Sequence, residues 1–247
     1  MDAYRARRVL SADRSGSSWP VLVETDGGVY YTKLRGAAQA PASLVAEIVV
    51  GGLADALALP VPSRVLVDIP ADVRIDDPHQ ELHQLVRASA GINLGFQPLP
   101  DVRPFRSIDA PKVDADLASR IVWLDGLVLN PDRTAKNPNL LWSAGRLWLI
   151  DHGASLGFQH TWSRVTEESP RANGWSITAH ALHGRATLLQ CVDESLSQRL
   201  SRTVLESTLE AVPDDLLFDT GSEAKRRRRA AYVAFLWKRL KRPRPFI

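Results

Sequence analysis

The stretch that decides how this chain reads is residues 130–153, NPDRTAKNPNLLWSAGRLWLIDHG. Asp132 is followed five residues later by Asn137, and Asp151 comes fourteen residues after that. Two short apolar runs, Leu140–Trp142 and Leu147–Ile150, flank Ser143-Ala144-Gly145-Arg146, which is a hairpin signal. A loop carrying Asp and Asn, followed by a hairpin that ends in Asp, brings three oxygen-bearing side chains towards one point. Phosphoryl transfer from Mg-ATP needs such a set. One carboxylate sits by the acceptor hydroxyl, and an amide oxygen and a second carboxylate hold the metal that neutralises the phosphates.

Upstream, the first 70 residues read as β-β-α-β. Trp19–Glu24 and Val29–Leu34 form a hairpin across Thr25-Asp26-Gly27-Gly28, and Arg7–Leu10 is a candidate strand before it. Pro41 opens a helix that ends at Leu59-Pro60, and Ser63–Asp68 is a further strand. Lys33 lies on the second hairpin strand, and Glu47 lies fourteen residues on, in the helix. In protein-kinase-like folds a strand lysine contacts the α- and β-phosphates and is held by a helix glutamate. The loop Ser11–Ser18 has one glycine, Gly16, and would cover the phosphates with backbone N–H groups and the hydroxyls of Ser15, Ser17 and Ser18.

The sequence resembles the HipA-like kinase family, a bacterial branch of the protein-kinase-like fold. The likeness is carried by VETDGGVYYTKL, by LVAEIVVGGLADALALPVP and above all by WLDGLVLNPDRTAKNPNLLWSAGRLWLIDHG. It covers about residues 7–160 and implies an α+β, bilobal fold. It also implies Asp132 as catalytic base, Asn137 and Asp151 as Mg2+ ligands, Lys33 as the ATP-binding lysine and Glu47 as its partner. Gly16, Ser17 and Ser18 would join the nucleotide site, with ATP bound between the lobes. Lys136, beside Asn137, reads equally as a group for the γ-phosphate and as a solvated loop lysine. Two positions depart from the family: Thr134 stands where many members have histidine, and His152 follows the metal-binding Asp. HipA toxins carry a further N-terminal region before the ATP lobe, so toxin activity and a repressor partner are not carried over.

The expected organisation is a β-rich lobe over residues 1–68 and a helical lobe over residues 69–247. Residues 70–112 read mostly as loop, with a short helix over Glu81–Ala88 and loop over Ile92–Pro104. A helix capped by Asp114 runs to Asn130-Pro131. Further helices are expected over Ile177–Val192, Leu196–Val212 and Arg227–Leu240. Asp125 reads as a structural acid bonding the catalytic-loop backbone, ahead of a direct role, and Arg133 as a salt-bridge partner or an orienter. His180 and His183, three apart on the expected helix, lack a third metal ligand. Trp123, Trp142, Trp148, Trp162 and Trp175 read as core.

The 247 residues carry a net charge of +3, which is a sum of unlike parts. Residues 225–247 hold ten of the 31 Lys and Arg and no acid, so the rest has 21 basic against 28 acidic side chains, a net of −7. That argues against one broad nucleic-acid surface. The basic end reads either as a terminal helix packing its apolar face or as a patch for an acidic partner, nucleic acid or anionic lipid. A single cysteine, Cys191, excludes an internal disulfide framework. With no apolar stretch of membrane-spanning length and no signal sequence, a cytoplasmic location is expected. A hydroxyl acceptor on a protein Ser or Thr is the leading expectation. A small-molecule phosphotransferase, a non-catalytic nucleotide-binding module and a protein recruited through its basic tail are the rivals.

Overall fold

The computed structural model describes residues 1–12, 20–37, 41–172, 174–217 and 219–247. Gly16, Ser17 and Ser18, together with Ser15 and Trp19, lie outside the described residues. The chain separates into two compact units. One comprises Met1–Val45, Pro62–Pro100 and Pro213–Phe218; the other comprises Ala46–Val61, Asp101–Val212 and Asp219–Ile247.

The first unit is built on six strands: β1 (Ala3–Ala12), β2 (Val21–Thr25), β3 (Gly28–Lys33), β4 (Arg64–Ile69), β5 (Arg74–Ile75) and β6 (Gly91–Phe96). Their order is β2-β3-β6-β4-β1-β5, and β1 also pairs with β2, so the sheet closes on itself. Only β1 runs parallel to its neighbours β4 and β5; the other pairings are antiparallel. Val9, Val23, Val67 and Ile69 fill the interior with Leu82 and Val86 of helix α2 (Gln80–Ala88), the alternation of each strand delivering one apolar face inward.

Two expectations change here. Residues 92–104 do not form one loop, because β6 occupies the middle of the sheet between β3 and β4. Its sequence, GINLGF, hides the strand. Asn93 is buried, and its amide is satisfied by the turn beside it: Oδ1 accepts the Arg35 N–H, while Nδ2 donates to the Ser89 and Gly91 carbonyls. Gly95 is required by close packing, since a Cβ there would lie 2.8 Å from Val67 Cγ2. A division at residues 68 and 69 would cut this sheet; the strands run on to Phe96 and the first unit to Pro100.

The second unit is mainly helical. Helix α1 (Ala42–Ala56) lies largely within it, and α3 (Ala115–Val128) is its buried axis. Asp114 caps α3 by accepting the Leu117 N–H at 2.8 Å, and the helix stops at Leu129, whose φ of 57° is left-handed. Against α3 pack α4 (Leu189–Arg199) and α6 (Ser222–Leu240), and α5 (Arg202–Glu210) packs against α6. A three-stranded sheet joins β7 (Arg103–Pro104), β8 (Leu140–Ser143) and β9 (Arg146–Leu149). Ala144 and Gly145 both have positive φ, as a two-residue hairpin turn requires.

The helix expected over residues 177–192 forms only from Leu189 onward, as the start of α4. Short 3-10 turns at Ile177–Ala179 and His183–Arg185 precede α4. The N–H groups that such a helix would use are committed elsewhere: Ala181 donates to the Arg133 carbonyl and Leu182 to His180 Nδ1. The helix expected over residues 196–212 is two helices, because Ser201 accepts the Val204 N–H and restarts the chain as α5. Among the described residues no helix is long and apolar enough to cross a membrane.

Candidate active site

The left-handed stop at Leu129 turns the chain out of α3 and into the loop that carries Asp132. Asn130 is buried and holds this turn from both sides. Its Nδ2 donates to Asp125 Oδ1 at 2.9 Å, and its Oδ1 accepts the Asp132 N–H at 3.0 Å. Trp175 Nε1 donates to the Asn130 carbonyl at 2.8 Å.

Asp132 and Asn137 are brought together. Asp132 Oδ2 accepts Asn137 Nδ2 and Asn139 Nδ2, each at 2.9 Å. Among the described residues Asp132 Oδ1 has no hydrogen-bond partner. Because Asn137 spends its amide nitrogen on Asp132, its Oδ1 is turned to acceptor duty on an exposed side chain. Thr134 shapes the intervening turn, with Oγ1 accepting the Asn137 N–H. Lys136 is exposed at the loop tip.

Behind this loop lies a buried ionic hub. Asp125, within α3, is fully buried, and its Oδ2 accepts Arg133 Nε at 2.6 Å and His180 Nε2 at 3.0 Å. Burial opposes its ionisation. The Arg133 charge and the bonds from His180 and Arg133 outweigh that cost and hold the carboxyl below the usual carboxylate range. His180 Nδ1 accepts the Leu182 N–H, so the ring proton sits on Nε2, facing Asp125. Asp125 is buried and fully bonded as its sequence position suggested, but its carboxylate acts through the side chains of Asn130, Arg133 and His180 rather than through the loop backbone. Arg133 Nη1 donates to the carbonyls of Asn139 and Ile150, and Nη2 donates to His152 Nδ1 at 3.1 Å.

Asp151 follows β9, is partly buried and has a φ of 56°. A non-glycine residue there carries strain on the order of 1 kcal/mol and persists where its neighbours fix it. They do so here. Ile150 donates to the Asn139 carbonyl, and Gly153 donates its N–H to Glu47 Oε1 at 3.0 Å. Glu47 is fully buried on α1, so this carboxylate reaches the backbone just beyond Asp151. Lys33 belongs to the other compact unit. It ends β3 opposite Leu94, with Nζ 5.8 Å from the Phe96 ring centre.

The donor set fits magnesium. Among the described residues no group of three or more His, Cys, Asp or Glu is arranged to hold a metal by itself. Mg2+ is ordinarily held through one or two protein oxygens, with water and substrate phosphates completing its shell, and Asn137 and Asp151 supply oxygens of that kind. Sequence reading missed Asn139, and it noted His152 and His180 without their bonds to Arg133 and Asp125. Asn139 was visible two residues past Asn137; His180, 55 residues from Asp125, gave no local signal.

The family model described as HipA-like kinase matches residues 7–241. Among solved structures, the chain is similar to the crystal structure of a Helicobacter pylori proinflammatory kinase, CtkA. That match has a TM-score of 0.54 and 10% identity and covers 93% of this chain and 95% of that one. At that identity the likeness speaks for the fold. Among curated proteins none matches significantly.

Proposed function

We propose, from the premise that this chain belongs to the HipA-like kinase family, that it transfers the γ-phosphoryl group of Mg-ATP to a hydroxyl on a protein Ser or Thr. The single observation that carries this reading is the state of Asp132. One carboxylate oxygen is fixed by two amides, and the other has no partner among the described residues. A base must be oriented and still able to accept a proton, and this arrangement leaves Asp132 Oδ1 for the acceptor hydroxyl.

In this reading the unit rich in β-strands is the nucleotide lobe and the helical unit is the catalytic lobe of a bilobal kinase. Asn137 Oδ1 and Asp151 hold Mg2+, which offsets the negative charge of the phosphates. Lys33 contacts the phosphates, with Glu47 and the segment of Gly16, Ser17 and Ser18 completing the nucleotide site. Lys136 meets charge developing on the transferred group. The acceptor assignment rests on family membership, and a cytoplasmic site of action fits a reaction that consumes ATP.

The test is turnover of labelled ATP with Mg2+ and a protein acceptor. Asp132→Ala and Asp151→Ala are expected to lower kcat roughly 10²–10⁴-fold. Turnover that is unchanged in both variants overturns the assignment. Transfer to a small alcohol but to no protein overturns the acceptor class alone.

A further inference from the structure

Among the described residues, Arg133 is a fully buried cation that touches both flanks of the proposed metal ligand. Its side chain lies in the interior with 1% of the residue exposed. Of its four bonds, one goes to the Asp125 carboxylate and three go forward to the hairpin: the Asn139 carbonyl, the Ile150 carbonyl and His152 Nδ1. Ile150 and His152 immediately precede and follow Asp151, whose backbone is left-handed. Asn139 is the residue whose amide holds Asp132 Oδ2. Asp132 is next to Arg133 in the chain. One planar guanidinium therefore shares bonds with the supports of both proposed active-site carboxylates.

We infer that Arg133 is a positioning residue that sets the Asp151 carboxylate for Mg2+ relative to the Asp132 loop, an inference that rests on the phosphotransfer reading above. Geometry argues for arginine in particular. Nε meets Asp125 while Nη1 and Nη2 reach the hairpin, a spread that a rigid fork provides and a lysine ammonium does not. The surroundings hold that fork still. Asp125 is itself fixed by Asn130 and His180, and the backbone carbonyl of Arg133 accepts the Ala181 N–H. Groups that orient a metal ligand without touching the metal affect its affinity by about 10–100-fold.

The experiment measures binding of a non-hydrolysable ATP analogue to the full chain, with and without MgCl2. Wild type, Arg133→Lys and Asp151→Asn are compared, with circular dichroism as a folding control. In the wild type Mg2+ tightens binding. Asp151→Asn loses that gain, and Arg133→Lys loses about 10-fold or more of it while its Mg-free affinity stays at the wild-type value. A role confined to fold stability would lower both affinities together. If Asp151→Asn loses the Mg2+ gain and folded Arg133→Lys keeps it, the inference is overturned. If Asp151→Asn keeps the gain, the metal assignment itself fails. Should Arg133→Lys not fold, His152→Ala removes one of the three forward bonds. A smaller loss of the Mg2+ gain is then expected, and full retention overturns the proposal.

Discussion

The loop around Asp132 and the terminal helix α6 are both dense in charge, and they use it in opposite ways. In the loop the charges that stabilise, Asp125 and Arg133, are fully buried, while Lys136 and Asn137 remain exposed. In α6 the cations are absorbed one by one. Arg226 and Arg227 pair with Glu223; Arg228 grips both oxygens of Asp219 and lies 4.6 Å from the Trp162 ring centre. Arg229 donates to the Leu209 and Val212 carbonyls at the end of α5. Arg239 donates to four carbonyls, two of them in the last turn of α3. A run of charge points to function where local partners leave capacity unused, and α6 leaves little.

The comparison breaks most visibly at Asp125. Asp125→Ala strands the Arg133 charge in the interior and is expected to cost roughly 3–5 kcal/mol of stability, read by urea denaturation. The pH dependence has a definite sign. The folded carboxyl ionises below its usual range, because the Arg133 charge and the hydrogen bonds overcome the burial penalty. Its stabilisation is therefore complete above the unfolded value of about 4 and is lost as pH falls from there through the folded value. Asp125→Asn should flatten that acid limb. An unchanged acid limb would mean that the hub is not ionic.

This division of labour was legible only in part from sequence. The spacing of Asp132, Asn137 and Asp151 marked a candidate site because phosphoryl transfer asks for such residues within a short stretch. Glu47 was singled out by its element and offset as a partner for Lys33, and its bond to the Gly153 N–H was not foreseeable from spacing. His180 joins the hub from a segment that reads as helix, and nothing local signals that the neighbouring Ala181 N–H serves the loop of Asp132 and Arg133. β6 was hidden because Asn93 and the two glycines break the apolar alternation for reasons of packing. The five basic residues from Lys225 to Arg229 read first as the solvated face of a packed helix and second as an address, but their partners, Asp219 and the end of α5 among them, are set by tertiary contact and were not legible.

The next effect in size concerns Arg239. Burial pulls its guanidinium down to about 10, still well above neutrality, so it stays charged in the fold and its contribution is flat with pH below that value. Its bonds go to the Gly126, Leu127, Pro170 and Ala172 carbonyls, where a cation also suits the helix C-terminus. Arg239→Met leaves those acceptors without their donor and should cost about 2–3 kcal/mol in chemical denaturation, with affinity for the ATP analogue unchanged. Wild-type stability in this variant would show that the helix is not held by its own charges, and the contrast with the loop would collapse.

The smallest effect sharpens the contrast from the other side. Arg226 and Arg227 are exposed and share Glu223 within one helical turn. Such pairs are screened by water and salt, and each ties down two long side chains for little gain. The double variant Arg226→Gln/Arg227→Gln should therefore shift stability by no more than about 0.5 kcal/mol and leave ATP turnover at the wild-type rate. The informative measurement is binding to duplex DNA and to anionic vesicles as salt is raised. If these two cations are part of a stabilised helix surface, wild type and variant behave alike in both titrations. If wild type binds either one with a steep salt dependence that the variant loses, the cluster has capacity beyond its internal partners. The basic end would then resemble the loop, with structural charge within reach of a ligand.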